Sequence, residues 1–463
     1  MPRNRSNRDR RWVSLTVLCV GMLMIVLDNT VVNVALPSIQ SDFGFTKSDL
    51  AWVVNAYMIA FGGVLLLAGR LGDLIGIKIV FMSGLVLFTL ASLLCGVAWN
   101  RDTLIVFRFV QGLGGAMASS VVLAMIVTMF REPYERAKAM GVFSFTASAG
   151  GSIGLLIGGF ITQAMNWHWV FLVNVPIGIV TLFVAMRLLE DRGGIGLRKG
   201  ADALGSALIT ASLMLAVFTV VQIPAEGIAS AQTLGSGAVA LLLFAAFLVR
   251  ESTAKKPLLP LAIFKSRNVT GSNLLQILIV ASMFGFFFIA SLYLRRGLHY
   301  NAVMTGLAFL PVTISIGAFS LGWAPRITTH FGPFRVVLAG QVLAVLGIGA
   351  FTLAPTGANY FAVMFPAMLA LGIGLGVSFP AIMMFAMSDA TGENSGIMSG
   401  LVNTTSNVGG ALGLAVLATI TAVHGYRAGF GAATVVMIIG GIVAAAILHP
   451  AALREHNEAE AAA

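Results

Sequence analysis

The chain has 463 residues, 58% of them hydrophobic and only 10% charged, with a formal net charge of +10. Ordinary soluble domains carry about 25% charge, so this composition excludes a soluble enzyme, a disordered protein and a nucleic-acid binder. It fits a polytopic membrane protein, and the recurrence of long apolar runs with few prolines predicts an all-α fold of transmembrane helices rather than a β-barrel.

Apolar runs long enough to cross a ~30 Å hydrocarbon core fall at 13–37, 50–69, 79–98, 103–129, 138–163, 169–189, 203–223, 230–250, 270–294, 303–323, 334–354, 359–381, 396–421 and 428–449. These are fourteen predicted spans, an even number, so both termini share one side. The tail 1–12 carries Arg3, Arg5, Arg8, Arg10 and Arg11. The opposite side keeps only Lys47, Arg101, Arg295, Arg296 and Arg427, and Arg108 is the one basic residue well inside a span rather than at its end. The positive-inside rule then makes both termini cytoplasmic and explains the excess charge. Trp12, Trp52, Trp99, Trp167, Trp169 and Trp323 each fall at a predicted span end, where an amphipathic ring favours the headgroup layer. Cys19 and Cys95 lie in apolar runs and read as small hydrophobes. The expected place is a multi-pass position in the cell membrane, a bacterial inner membrane, with the lipid bilayer as partner and the chain as a monomer.

The chain repeats itself. GVFSFTASAGGSIGLL from Gly141 matches GLVNTTSNVGGALGLA from Gly400, so that Gly150 and Gly154 align with Gly409 and Gly413. In the preceding spans Gly112-Leu-Gly114 matches Gly372-Ile-Gly374 at nearly the same offset. The predicted organisation is a six-helix half at 13–190, an inserted helix pair at 203–250, a cytoplasmic loop at 251–269, a second six-helix half at 270–449 and a tail at 450–463. Two parallel-repeat halves are an architecture of secondary transporters.

The repeat breaks at its charges. Arg108 corresponds to Met368, and the span at 270–294 has no counterpart to Asp28. Asp28 sits about 22 Å in from the cytoplasmic start of its span, and Arg108 roughly 7 Å below the outer end of its own. The two are therefore level. A buried ion costs several kcal/mol unless paired, so pairing is expected, either as a structural lock or as a site where a proton is taken up and released. Gln111, Gly112 and Gly115 share the face of Arg108, and Asn29 and Asn33 continue the polar arc of Asp28. Candidate cavity residues are Asn33, Asn55, Tyr57, Gln111, Gln276, Phe287 and Asn403, because polar groups avoid lipid and aromatic linings suit apolar ligands. The scattered histidines form no cluster with acids or nucleophiles, so no enzyme is expected, nor any metal site or cofactor beyond the proton as coupling ion.

These segments resemble the major facilitator superfamily, specifically its fourteen-span drug:proton antiporter branch. Leu27-Asp-Asn-Thr-Val-Val-Asn-Val-Ala-Leu-Pro37 looks like that branch's first-span motif, and Trp167-His-Trp-Val-Phe-Leu-Val-Asn-Val-Pro-Ile-Gly178 is similar to another of its motifs. Gly69-Arg-Leu-Gly-Asp-Leu-Ile-Gly-Ile-Lys78 resembles the superfamily's loop 2–3 motif, departing at Leu74 and Ile77. The resemblance implies a cytoplasmic gate at Gly69, Arg70, Asp73, Gly76 and Lys78, with Asp73 acting through charge and helix-end contacts. Leu104 to Gly115 resembles the motif assigned to proton transfer. Gly141, Gly150, Gly154, Gly158 and Gly159 match the antiporter motif, whose proline is here Leu155. The implied function is proton-coupled efflux of small amphipathic or apolar compounds by alternating access. A proton-coupled uptake symporter, or an exporter of one natural product, is the alternative.

Overall fold

The computed structural model describes residues 2–191, 193–196, 202–353 and 359–448. The expected tail 450–463 lies outside them, and side-chain surroundings at Leu155 and Gly159 lie outside as well.

Among the described residues every regular element is helical. The chain runs α1 (Pro2–Phe43), α2 (Lys47–Ile75), α3 (Ile77–Gly96), α4 (Arg101–Ser120), α5 (Val122–Met129), α6 (Pro133–Ala164), α7 (His168–Leu172), α8 (Asn174–Leu188), α9 (Ala203–Glu226) and α10 (Ala231–Thr253). It continues with α11 (Arg267–Leu292), α12 (Ala302–Ala318), α13 (Ala324–Phe331), α14 (Pro333–Leu353), α15 (Phe365–Ala386) and α16 (Ser395–Ile447). Local chemistry fixes the ends. Thr46, Asp202, Ser230, Ser266 and Asn301 cap helix starts with their side-chain oxygens. Asn100 and Thr103 form a capping box at α4. The turn at Gly76, with φ 109°, is one that other residues rarely adopt.

Twelve helices among the described residues are long and apolar enough to cross a membrane. The last of these, α16, has 53 residues and breaks at Gly425 (φ 84°, ψ 175°), between the predicted spans at 396–421 and 428–449. The arginine-rich start of the chain is not a separate tail in secondary structure: α1 begins at Pro2.

The helices form two compact units. The first holds 1–129, 153–261 and 390–404; the second holds 130–152, 262–389 and 405–463. The start of α6 thus belongs with the second unit, and the start of α16 with the first. The internal repeat reappears as packing within each unit. In the first, a Cβ on Gly112 would come within 2.5 Å of Tyr57 O, and Gly114 lies against Gly84 O. In the second, a Cβ on Gly372 would come within 2.6 Å of Val312 O, and one on Gly374 within 2.5 Å of Gly340 O. Small residues let these backbones approach where lipid offers no hydrophobic drive.

The inserted α9 packs on α2, and α10 packs on α9. Trp52 meets Phe218 across the first contact at 6.0 Å between centroids. At the other end of the pair, Arg250 Nε donates to Asp202 Oδ2 at 2.9 Å. That guanidinium holds the Asp202 carboxyl below the usual carboxylate range. Glu251 accepts from Leu258 N and Leu259 N, which ties the following loop to α10.

Candidate functional site

Asp28 on α1 and Arg108 on α4 meet directly. Arg108 Nη1 donates to Asp28 Oδ2 at 2.6 Å, and both side chains are 0% exposed. The other carboxylate oxygen, Oδ1, accepts from Gln111 Nε2 at 2.8 Å and from Asn174 Nδ2 at 2.9 Å. Gln111 also turns its oxygen to Arg108 Nη1 at 2.7 Å, so one amide serves both charges. Asn174 is held in turn by Ser92 Oγ at 3.1 Å, whose hydroxyl donates to Phe171 O. Four helices therefore supply one buried polar network: α1, α3, α4 and α8.

Arg108 has further partners besides the carboxylate. Its Nε donates to Val53 O at 2.9 Å, and its guanidinium carbon lies 4.3 Å from the Tyr57 ring centroid and 5.6 Å from that of Phe171. The close approach of α4 to α2 at Gly112 brings these groups within reach. Such a guanidinium keeps a hydrogen bond and aromatic faces whatever happens at Asp28. Arg108 Nη2 and Tyr57 Oη are both buried without a hydrogen-bond partner.

A second arrangement lies at Asp73. Its Oδ1 accepts from Gly396 N at 2.6 Å and its Oδ2 from Ile397 N at 2.8 Å. These are first-turn amides of α16, so the carboxylate closes the positive end of that helix. Arg70 stands 3.9 Å away, one turn earlier. The close approach requires Gly69, where a Cβ would strike Gly396 O. Lys78 sits elsewhere: its Nζ donates to Leu189 O at 2.7 Å and Met186 O at 3.1 Å, at the carbonyl end of α8.

The glycines of the antiporter-like motif divide between the two units. Gly141 lies against Ser320 O, whereas Gly154 and Gly158 lie against Thr30 and Val31 of α1. Gly150 is buried in α6. Of the expected cavity residues, Gln111 and Tyr57 belong to the charge network and are almost wholly buried. Asn33 is exposed and donates to Asn29 O. Asn55 is half-buried. Gln276 is buried, donating to Ser406 Oγ at 2.7 Å, and Phe287 packs edge-on to Phe286 and Phe309. Asn403 donates to Ser399 O. Sequence reasoning passed over Asn174 and Ser92 as partners of Asp28. The available signal was a lone amide in the span at 169–189, in the segment already quoted as a motif.

Residues 18–414 match the Major Facilitator Superfamily. The chain belongs to this superfamily. It is similar to the cephamycin export protein CmcT of Amycolatopsis lactamdurans, at 37% identity over 88% of this chain and 84% of that one. It is also 34% identical to the puromycin resistance protein pur8 of Streptomyces alboniger, over 94% of this chain and 86% of the relative. Among solved structures, the human organic anion transporter MFSD10 superposes with a TM-score of 0.70, covering 94% of this chain and 99% of that one at 15% identity. That likeness speaks to the fold. This superfamily member is a transporter rather than an enzyme, and a multi-pass protein of the cell membrane.

Proposed function

We propose that the protein expels small amphipathic or apolar compounds of the antibiotic type in exchange for protons, by alternating access. The export direction is supported by relatives named for antibiotic export and resistance. The coupling is carried by one observation: an aspartate and an arginine paired at 2.6 Å with no exposure of either side chain.

Proton transfer to Asp28 Oδ2 discharges the pair. Arg108 then keeps Val53 O, Gln111 Oε1 and the Tyr57 ring, while Gln111 and Asn174 stay on the neutral carboxyl. Breaking a buried pair by deleting one partner typically costs about 3–5 kcal/mol; the standby partners of Arg108 lower that cost and allow two protonation states of the same site. In the outward-open state Asp28 takes a proton from outside as the compound leaves. In the inward-open state the proton departs to the cytoplasm as the next compound binds. One proton supplies about 2.3 kcal/mol per 100 mV and about 1.4 kcal/mol per pH unit. At both, it sustains a concentration ratio of roughly a few hundredfold.

In this reading the membrane topology is fourteen spans with both termini cytoplasmic. The break at Gly425 within α16 and the 32-residue length of α6 support the count. Asp73 and its hold on the α16 N-terminus serve as the cytoplasmic gate, and Asn33, Asn55, Gln276, Phe287 and Asn403 contribute to the compound's path. The test is a panel of antibiotics and dyes in everted vesicles energised by an imposed pH gradient. Accumulation that collapses when the gradient is dissipated supports the proposal; uptake running with the proton flux contradicts it.

A further inference from the structure

Three helices of the first unit each deliver a cation to one place, the carbonyl end of α8. From α1, Arg10 Nη2 donates to Arg187 O at 3.4 Å. From the start of α3, Lys78 Nζ donates to Met186 O and Leu189 O. Arg187 lies in the last turn of α8, its guanidinium 4.3 Å over the Phe183 ring one turn earlier. Arg10 and Arg187 are exposed and Lys78 is half-buried. Arg11, next on α1, donates to Met129 O.

A helix C-terminus attracts positive charge, but one capping cation satisfies it, and Lys78 alone reaches two of the last carbonyls. Arg187 spends its charge on a ring face. Two acids follow α8: Asp191 Oδ1 accepts from Gly193 N, and Glu190 has a partner of its own.

The cations crown an apolar strip. Ile179, Val180, Phe183 and Met186 are exposed along one face of α8. Beside it, α3 exposes Ile79, Val86 and Leu90. Headgroup-level cations above an outward apolar ridge complement a lipid that carries a negative phosphodiester over acyl chains.

We infer that Arg10, Lys78 and Arg187 form a site for an anionic phospholipid of the phosphatidylglycerol type, its phosphate among the three cations and an acyl chain along α8. This does not rest on the proton-coupling proposal, and its readout is binding rather than transport.

The test is native mass spectrometry of the full chain with dioleoyl phosphatidylglycerol, dioleoyl phosphatidylcholine and glycerol 1-phosphate in parallel. Phosphatidylglycerol binds more tightly than phosphatidylcholine, and glycerol 1-phosphate does not displace it at equal concentration. Each cation near an anionic group is worth roughly a fivefold change in affinity. Arg187→Gln, which removes no hydrogen bond described for this helix end, weakens phosphatidylglycerol by about that factor and leaves phosphatidylcholine unchanged. The triple variant Arg10→Gln, Lys78→Gln, Arg187→Gln abolishes the preference, while Arg326→Gln with Arg335→Gln in the second unit preserves it. Equal binding of the two lipids by the wild type, an unchanged preference in Arg187→Gln, or displacement by glycerol 1-phosphate overturns the assignment.

Discussion

The two halves of the repeat share a scaffold and differ in charge. Where Gly112 meets Tyr57 O in the first unit, Gly372 meets Val312 O in the second at almost the same distance. Where Arg108 Nε holds Val53 O at 2.9 Å, its counterpart is Met368, and a tyrosine fills the role: Tyr360 Oη donates to Ala308 O at 2.7 Å, 4.0 Å from Met368 Sδ. Buried polar groups packed around α11 and α16 in the second unit include the neutral pairs Gln276 with Ser406 and Asn273 with Thr405. Duplication preserved the backbone contacts that glycine permits. The Asp28–Arg108 pair belongs to the first unit, and the equivalent of Arg108 in the second is Met368.

The sharpest way to break this comparison is to give the first half the second half's residue. Arg108→Met leaves Asp28 buried without its charge partner, and stability falls by about 3–5 kcal/mol, read as a loss of folded protein in a thermal or denaturant series. Adding Asp28→Asn removes the orphaned charge and restores much of that stability, yet the double variant does not couple transport to protons.

Next in size is the shared scaffold. Gly112→Val and Gly372→Val each press a side chain into a backbone carbonyl on a neighbouring helix, which costs about 1–3 kcal/mol. Similar losses from the two variants in thermal unfolding sharpen the equivalence of the halves; a loss confined to one side breaks it.

A smaller contrast separates charged from neutral hydrogen bonds. Asn174→Ala removes a donor to a carboxylate and costs about 1.5–3 kcal/mol, whereas Ser406→Ala removes a neutral partner of Gln276 and costs about 1 kcal/mol. Thermal unfolding of both variants measures the difference.

The smallest effect concerns the ion pair of the inserted helices, open to solvent on its Arg250 side. Arg250 holds the Asp202 carboxyl below its ordinary range. The stability this contributes is present above the unfolded carboxylate value of about 3.9 and is lost as pH falls through the lower folded value. The Arg250 side chain is 41% exposed and that of Asp202 3%, so solvent screens the pair from the arginine side. A slight acid-side fall in melting temperature that Asp202→Asn lacks is the expected result.

Much of this was legible in the residues. Span positions follow from apolar runs, because lipid forces every backbone group into internal hydrogen bonds. Level depth and the cost of a lone buried ion put Asp28 and Arg108 together in advance. The glycine repeat was visible as spacing, although only coordinates show that Gly112 and Gly372 serve the same backbone contact. Asn174 was illegible as a partner because a single polar residue in an apolar span carries no sign of which neighbour it faces. Lys78 read as part of the gate motif, and its place at the end of α8 depends on tertiary geometry that spacing does not encode. Gln111 and Tyr57 read as cavity residues, Gln111 also as sharing the face of Arg108, and both contact its guanidinium.

The most direct measurement is proton release on substrate binding, followed in weakly buffered detergent solution with a transported compound. Wild type releases protons as the compound binds, and Asp28→Asn, folded and still binding, releases none. Equal release from the variant, or none from the wild type, contradicts the assignment of Asp28 as the group that carries the proton.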